Sequence, residues 1–255
     1  MVNTGAIAAA SLVPGTDIAA RWRLLSHGLS RFAGRDLTLS EEVYASASAT
    51  NHRNRAIANL LASRDRIYGD PAEAVDLYTR QSCLLVTAED LAVMSGTLAD
   101  SGVNPVTGLR VVTPDVCQHT LAVMATAGMY ETSGDWLFDV GVPGKSGIGG
   151  GIVAVSPGKG GLGTFSPLLD QAGNSVRGQL AARHLSRTLG LSLFASKAPR
   201  ASLAATGSER DARQIGQRTE ADRMPGIGIT VGSQAATGSA QGVPRRRSVH
   251  SSGDR

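Results

Sequence analysis

The 255 residues carry 25 Lys+Arg against 21 Asp+Glu, a formal charge of +4 and a pI near 9.4, with 42% hydrophobic but only 4% aromatic residues. That length suits one large domain with a sizeable core. Through Lys197 basic and acidic residues balance at 16 each, so the excess charge lies beyond it, and a neutral body argues against nucleic acid or a membrane surface as partner.

In chain order, Ile18, Trp22, Leu25, Leu29 and Phe32 repeat at helical spacing, with Gly34 just past the end, which predicts a helix with one core-facing stripe. Asp70-Pro71-x-Glu73 is a helix start ahead of Val75 and Tyr78. Thr87-x-x-Asp90 has the capping-box pattern before Leu91, Met94 and Leu98, and Gly102 closes that helix. Residues 116–129 read as another apolar helix. After Gly147 the character changes. Gly149 to Val155 is β-branched, Pro157 to Gly161 is a turn and Leu162 to Phe165 returns, which predicts a β-hairpin. A helix from Asn174 follows, with Val176, Leu180, Leu185 and Leu189 on the side expected to lie across the sheet.

From Pro199 the apolar period fails in favour of Ala, Gly, Ser, Gln and Arg, so a domain over 1–198 and a disordered basic tail over 199–255 are expected. No aromatic residue follows Phe194, which removes base stacking from that segment. Cys83 and Cys117 are too few for a disulfide framework, and no Cys or His has zinc-finger spacing. A reducing, cytoplasmic location is expected. The first residues lack a secretory signal, and no run approaches the ~18 apolar residues of a membrane span.

The opening Asn3-Thr4-Gly5-Ala6-Ile7 resembles the Asn-x-Gly-Ala-Ile segment that begins a helix in the serine-dependent glutaminases, relatives of the penicillin-binding proteins and serine β-lactamases. Four more matches follow in the family's order and spacing: Asn54 in Thr50-Asn51-His52-Arg53-Asn54, Tyr78 in Leu77-Tyr78-Thr79-Arg80-Gln81, Tyr130 in Gly128-Met129-Tyr130, and Ile148 in Lys145-Ser146-Gly147-Ile148. The resemblance implies an α/β fold of the α+β type, serine β-lactamase-like, with a helical region plus an antiparallel sheet. It implies hydrolysis of L-glutamine to L-glutamate and ammonia, no metal or organic cofactor, and a homo-oligomer, dimer or tetramer.

The roles it implies agree with what each residue type can do. Asn3, Asn54 and Tyr78 offer amide and hydroxyl groups to the two ends of an amino acid. Tyr130 stands by the nucleophile and moves a proton, and Ile148 lends its backbone N–H to an oxyanion hole. Lys145-Ser146-Gly147 is similar to the Lys-Thr/Ser-Gly strand motif of β-lactamases.

Two departures bear on activity. The resemblance begins downstream of the family's Ser-x-x-Lys nucleophile segment, so the fold is expected to be incomplete at the N-terminus. In Tyr44-Ala45-Ser46-Ala47, moreover, Ala47 stands where the family pattern has a glutamate for the substrate's ammonium. The expectation is a glutaminase pocket that does not turn over glutamine unaided; the alternative is a catalytically dead relic or weak amino-acid-binding protein.

Overall fold

The helix-start signals settle much of the architecture. The computed structural model describes residues 3–195; the tail expected at 199–255 lies outside the described residues. The first half contains helices α1 (Asn3–Ser11) and α2 (Ile18–Ala33), strand β1 (Thr38–Leu39), helices α3 (Glu41–Thr50), α4 (His52–Ala62) and α5 (Pro71–Ser82), and strand β2 (Leu84–Leu85). The second half contains helices α6 (Ala88–Ala99), α7 (Pro114–Ala127) and α8 (Ser133–Val140), strands β3 (Gly144–Ser146), β4 (Gly151–Ser156) and β5 (Gly160–Phe165), and helix α9 (Val176–Leu189). A single 3-10 turn, Tyr130–Thr132, joins α7 to α8.

The capping chemistry is present as written in the sequence. The Asp70 carboxylate accepts from Ala72 N at 2.8 Å, with Pro71 at the first helical position of α5. At α6 the Thr87 hydroxyl accepts from Asp90 N at 3.1 Å and the Asp90 carboxylate accepts from Thr87 N at 2.6 Å. Asp90 is buried, and Arg35 closes a two-pronged ion pair on it; that pair and the cap bonds hold its carboxyl below the usual range against the opposing effect of burial.

The main sheet is antiparallel in the order β3-β4-β5, with Lys145 opposite Val153 and Ile152 opposite Thr164. Side chains alternate between its faces. Ile152 and Ala154 join Trp136, Val142 and Ala182 under α8 and α9, whereas Val155 joins Ala99 and Met124 under α6 and α7. A third apolar cluster, Ile7, Ala58, Ala74 and Val75, binds α1, α4 and α5 into a helical lobe beside the sheet. The fold is thus α/β, with helices and small antiparallel sheets.

Two expectations about faces are corrected. Of the α2 residues only Ala33 is buried, so the stripe from Ile18 to Phe32 is half-covered rather than core. On α9 the face laid on the sheet is Gly178, Ala182 and Ser186, while Val176, Leu180 and Leu189 are exposed. Small residues win because the helix sits very close: a Cβ on Gly178 would come within 2.8 Å of Thr164 Oγ1 and 3.1 Å of Ile152. Gly163 does the same for α6, whose backbone would meet a Cβ there at 2.3 Å. The helix expected over 116–129 ends earlier, and Met129 is instead fully buried at the start of the turn carrying Tyr130.

Candidate active site

A cavity of about 740 Å³ lies between the helical lobe and strand β3. All five residues singled out in the sequence, Asn3, Asn54, Tyr78, Tyr130 and Ile148, line it. They arrive from unrelated elements: Asn3 from the first turn of α1, Asn54 from α4, Tyr78 from α5, Tyr130 from the 3-10 turn and Ile148 from the β3–β4 turn.

The helical wall is hydrogen-bonded within itself. Asn3 Nδ2 donates to Asn54 Oδ1 at 2.9 Å, and the Tyr78 hydroxyl donates to Asn3 Oδ1 at 3.1 Å. Burial raises the pKa of Tyr78, so its phenol stays a donor. These groups are neutral, and Arg53 and Thr50 flank them. Ala47, 2% exposed, faces the same space with a methyl group.

The opposite wall is charged and strained. Tyr130 has φ +55°, a left-handed conformation uncommon for a side chain of its size. Bonds on either side of the residue hold it there. Ser133 Oγ donates to Tyr130 O at 2.7 Å and accepts from Met129 N at 3.1 Å, and Thr132 Oγ1 donates to Met129 O at 2.9 Å. Lys145 reaches over the Tyr130 ring, its Nζ 4.7 Å from the centroid. It has no carboxylate partner among the described residues, and burial lowers its pKa to about 8. Burial also holds the Tyr130 phenol above its usual pKa.

Ile148 contributes through its backbone. Gly150 N donates to Gly147 O at 2.8 Å, closing a turn in which Ile148 is the second residue. A turn of that kind leaves the N–H of its second residue without an internal partner. The Ile148 N–H meets no acceptor among the described residues and remains an available donor at the cavity edge.

Other candidates fall elsewhere. Ser156-Pro157-Gly158-Lys159 has Ser-x-x-Lys spacing, but it forms the β4–β5 turn, away from the cavity lining. There Ser156 Oγ donates to Leu191 O at 2.7 Å and Lys159 Nζ to Gly190 O at 2.6 Å, pinning the end of α9. A smaller hollow of about 270 Å³ beside α2 is lined by Arg31 and Arg35, which are spent on Arg110 O and Asp90. Among the described residues no group of His, Cys, Asp or Glu is placed to hold a metal ion, and no helix is long and apolar enough to cross a membrane.

Comparison with known proteins gives the family of the chain. The family model for glutaminase matches residues 1–194. The chain belongs to the glutaminase family. Glutaminase 2 of Yersinia pestis is 66% identical over 197 residues, covering 77% of this chain and 58% of that protein. Among solved structures, the probable glutaminase ybaS superposes with a TM-score of 0.74 at 47% identity, over 76% of this chain and 62% of that one. Mglu in its glutamate form gives a TM-score of 0.74 at 40% identity, over 77% of this chain and 45% of that one. The glutaminase-family chain thus spans 58% to 62% of the length of the curated relatives it matches.

Arg53, Glu131 and Ala172 in the lining were not singled out as site residues from the sequence, and Asn174 behind it was read only as the start of the last helix. Only the tertiary fold brings these residues to the cavity.

Proposed function

We propose that the cavity is a glutamine site built for serine-type amide hydrolysis, with L-glutamine as ligand and L-glutamate and ammonia as products. One observation carries the reading. A neutral hydrogen-bonding wall faces a wall holding a desolvated lysine over a tyrosine ring, and an available backbone N–H stands at their rim. Asn3, Asn54 and Tyr78 hold the amino-acid end. The side-chain amide lies toward Tyr130, where the Lys145 charge favours the phenolate form and so lets the phenol exchange a proton with the leaving ammonia. The Ile148 N–H stabilises the oxyanion, a contribution worth about 3 kcal/mol for a single donor.

The acyl-accepting serine of such a mechanism is not among the residues lining the cavity in a Ser-x-x-Lys pair. Loss of an activated nucleophile costs on the order of a millionfold in turnover, so these residues alone bind rather than hydrolyse. Ala47 favours the weaker-binding version of this reading, because no carboxylate at that position meets the α-ammonium. We further propose a single domain through residue 198, a cytoplasmic location consistent with the free, buried Cys83 and Cys117, and a homo-oligomer. Calorimetric titration with L-glutamate tests the site: saturable binding that Tyr78→Phe and Asn54→Ala weaken is expected, and no binding at millimolar ligand would overturn the reading.

A further inference from the structure

Among the described residues that line the helical wall, Arg53 alone carries a full charge. Its guanidinium enters no hydrogen bond or ion pair within the described chain, whereas Arg55, two positions on in α4, is spent on Ser48 O. A planar fork of N–H donors therefore stands at the cavity without an acceptor, an arrangement that matches a carboxylate.

The rest of the wall adds donors and neutral oxygens. Tyr78 donates to Asn3 Oδ1 and Asn3 Nδ2 donates to Asn54 Oδ1, so each of these amide oxygens already accepts once. The hydrogens left unspent are the second N–H of Asn3 and both of Asn54. Asn51 spends an N–H on Thr79 Oγ1, and Thr50 spends its hydroxyl proton on Ser46 O, which leaves both as uncharged acceptors. Ala47 lines the same wall with a methyl group. Glu131, the carboxylate among the described lining residues, follows Tyr130 on the opposite wall, where its charge adds to the effect of burial in raising the Tyr130 pKa.

This distribution of charge treats the two ends of an amino-acid head differently. A carboxylate at the helical wall gains the guanidinium and the amide N–H groups. An ammonium there exchanges water for neutral oxygens and the repulsion of Arg53. We propose that the helical wall takes a carboxylate without an ammonium beside it: Arg53 grips the carboxylate, Ala47 leaves the α-position apolar, and the ligand class is a straight-chain acid amide bearing hydrogen, hydroxyl or a keto oxygen where glutamine has its ammonium. The proposal rests on the amide-hydrolysis reading above and narrows its ligand; L-glutamine enters the same place more weakly.

Calorimetric titration of the full chain with glutaramate, which is glutamine without its amino group, and with L-glutamine tests the proposal. Glutaramate should bind about ten- to a hundredfold more tightly, the scale of one charged group left without its partner. Ala47→Glu should invert that order by tightening L-glutamine and weakening glutaramate. If this variant does not fold, the ratio in the unaltered chain decides. Arg53→Gln should weaken glutaramate about tenfold, and Arg53→Lys should recover part of the loss by restoring the charge without the fork. Glu131→Gln should not weaken L-glutamine selectively.

Equal or tighter binding of L-glutamine by the unaltered chain would overturn the proposal while leaving the glutamine site in place. The same holds for glutaramate binding that ignores Arg53→Gln, or for a ratio that does not move in folded Ala47→Glu. A selective loss of L-glutamine in Glu131→Gln would also overturn it, by putting the ammonium on the opposite wall. Binding of neither ligand would sink the amide-hydrolysis reading and this proposal with it.

Discussion

The two walls of the cavity are made by different physics. The helical wall sets Asn3, Asn54 and Tyr78 in a short chain of neutral hydrogen bonds, on helices whose start codes and apolar faces are local features of the sequence. The strand wall stores unfavourable features: a tyrosine with φ +55°, a half-buried lysine without a carboxylate partner among the described residues, and a hydroxyl whose proton is committed to a buried amide. Recognition can be built from satisfied groups. Chemistry needs groups held out of their preferred state, and the surrounding structure must compensate for that cost.

The comparison breaks most sharply on turnover. In a form of this protein supplied with a Ser-x-x-Lys segment, Tyr130→Phe should lower kcat by about 10²- to 10⁴-fold, the usual worth of a positioned proton-transfer group. Asn54→Ala on the opposite wall should instead raise KM about tenfold with kcat nearly unchanged. Steady-state ammonia release separates the two. Similar losses of kcat in both variants would mean that the walls do not divide binding from chemistry.

Stability should show the next largest effect, on the strand wall. Lys145 has a folded pKa of about 8 against an ordinary 10.5. Between those values the unfolded chain holds more protons on this side chain than the folded one, so its contribution makes stability rise with pH. Replacing it by a neutral residue removes that dependence. Lys145→Met should therefore be more stable than the unaltered chain at pH 7 by up to about 3 kcal/mol, with the advantage fading between pH 8 and 10.5. Taking the difference between the two proteins cancels the opposing contribution of Cys83, whose thiol burial pushes up to about 11. Urea denaturation at several pH values checks it; a difference independent of pH would show that Lys145 is not desolvated in solution.

The smallest effect belongs to the helical wall. Ala47→Glu should tighten L-glutamine binding by about ten- to a hundredfold, the value of one charge-assisted hydrogen bond to the ammonium. It should also lower the melting temperature of the ligand-free protein, because Ala47 is 2% exposed and a carboxylate there is desolvated without a partner. A tighter site at no cost in free-state stability would indicate that a cation of the chain already answers position 47.

What could be read from the sequence follows the same division. The capping box at Thr87, the proline start of α5 and the hairpin of β4 and β5 are local signals, and each forms the element its residues encode. The face of α9 was not legible from hydrophobicity, because Gly178, Ala182 and Ser186 make the contact by being small, leaving Leu180 and Val176 outside. The five spaced residues were legible only as a set resembling a family pattern; singly, each could have been a cap or a core-edge group. Asn174 was legible only as the start of a helix and Thr132 not at all, since a hydrogen-bond hub that joins a turn, a strand and a loop exists only once the chain has folded.

Ammonia release from L-glutamine, measured for the 255 residues as given and for the same residues carrying an appended Ser-x-x-Lys segment of the family type, tests the central claim most directly. The account predicts no release above background from the first and measurable, Tyr130-dependent turnover from the second. Robust hydrolysis by the 255 residues alone would contradict it, because the nucleophile would then have to be a group already present at this cavity.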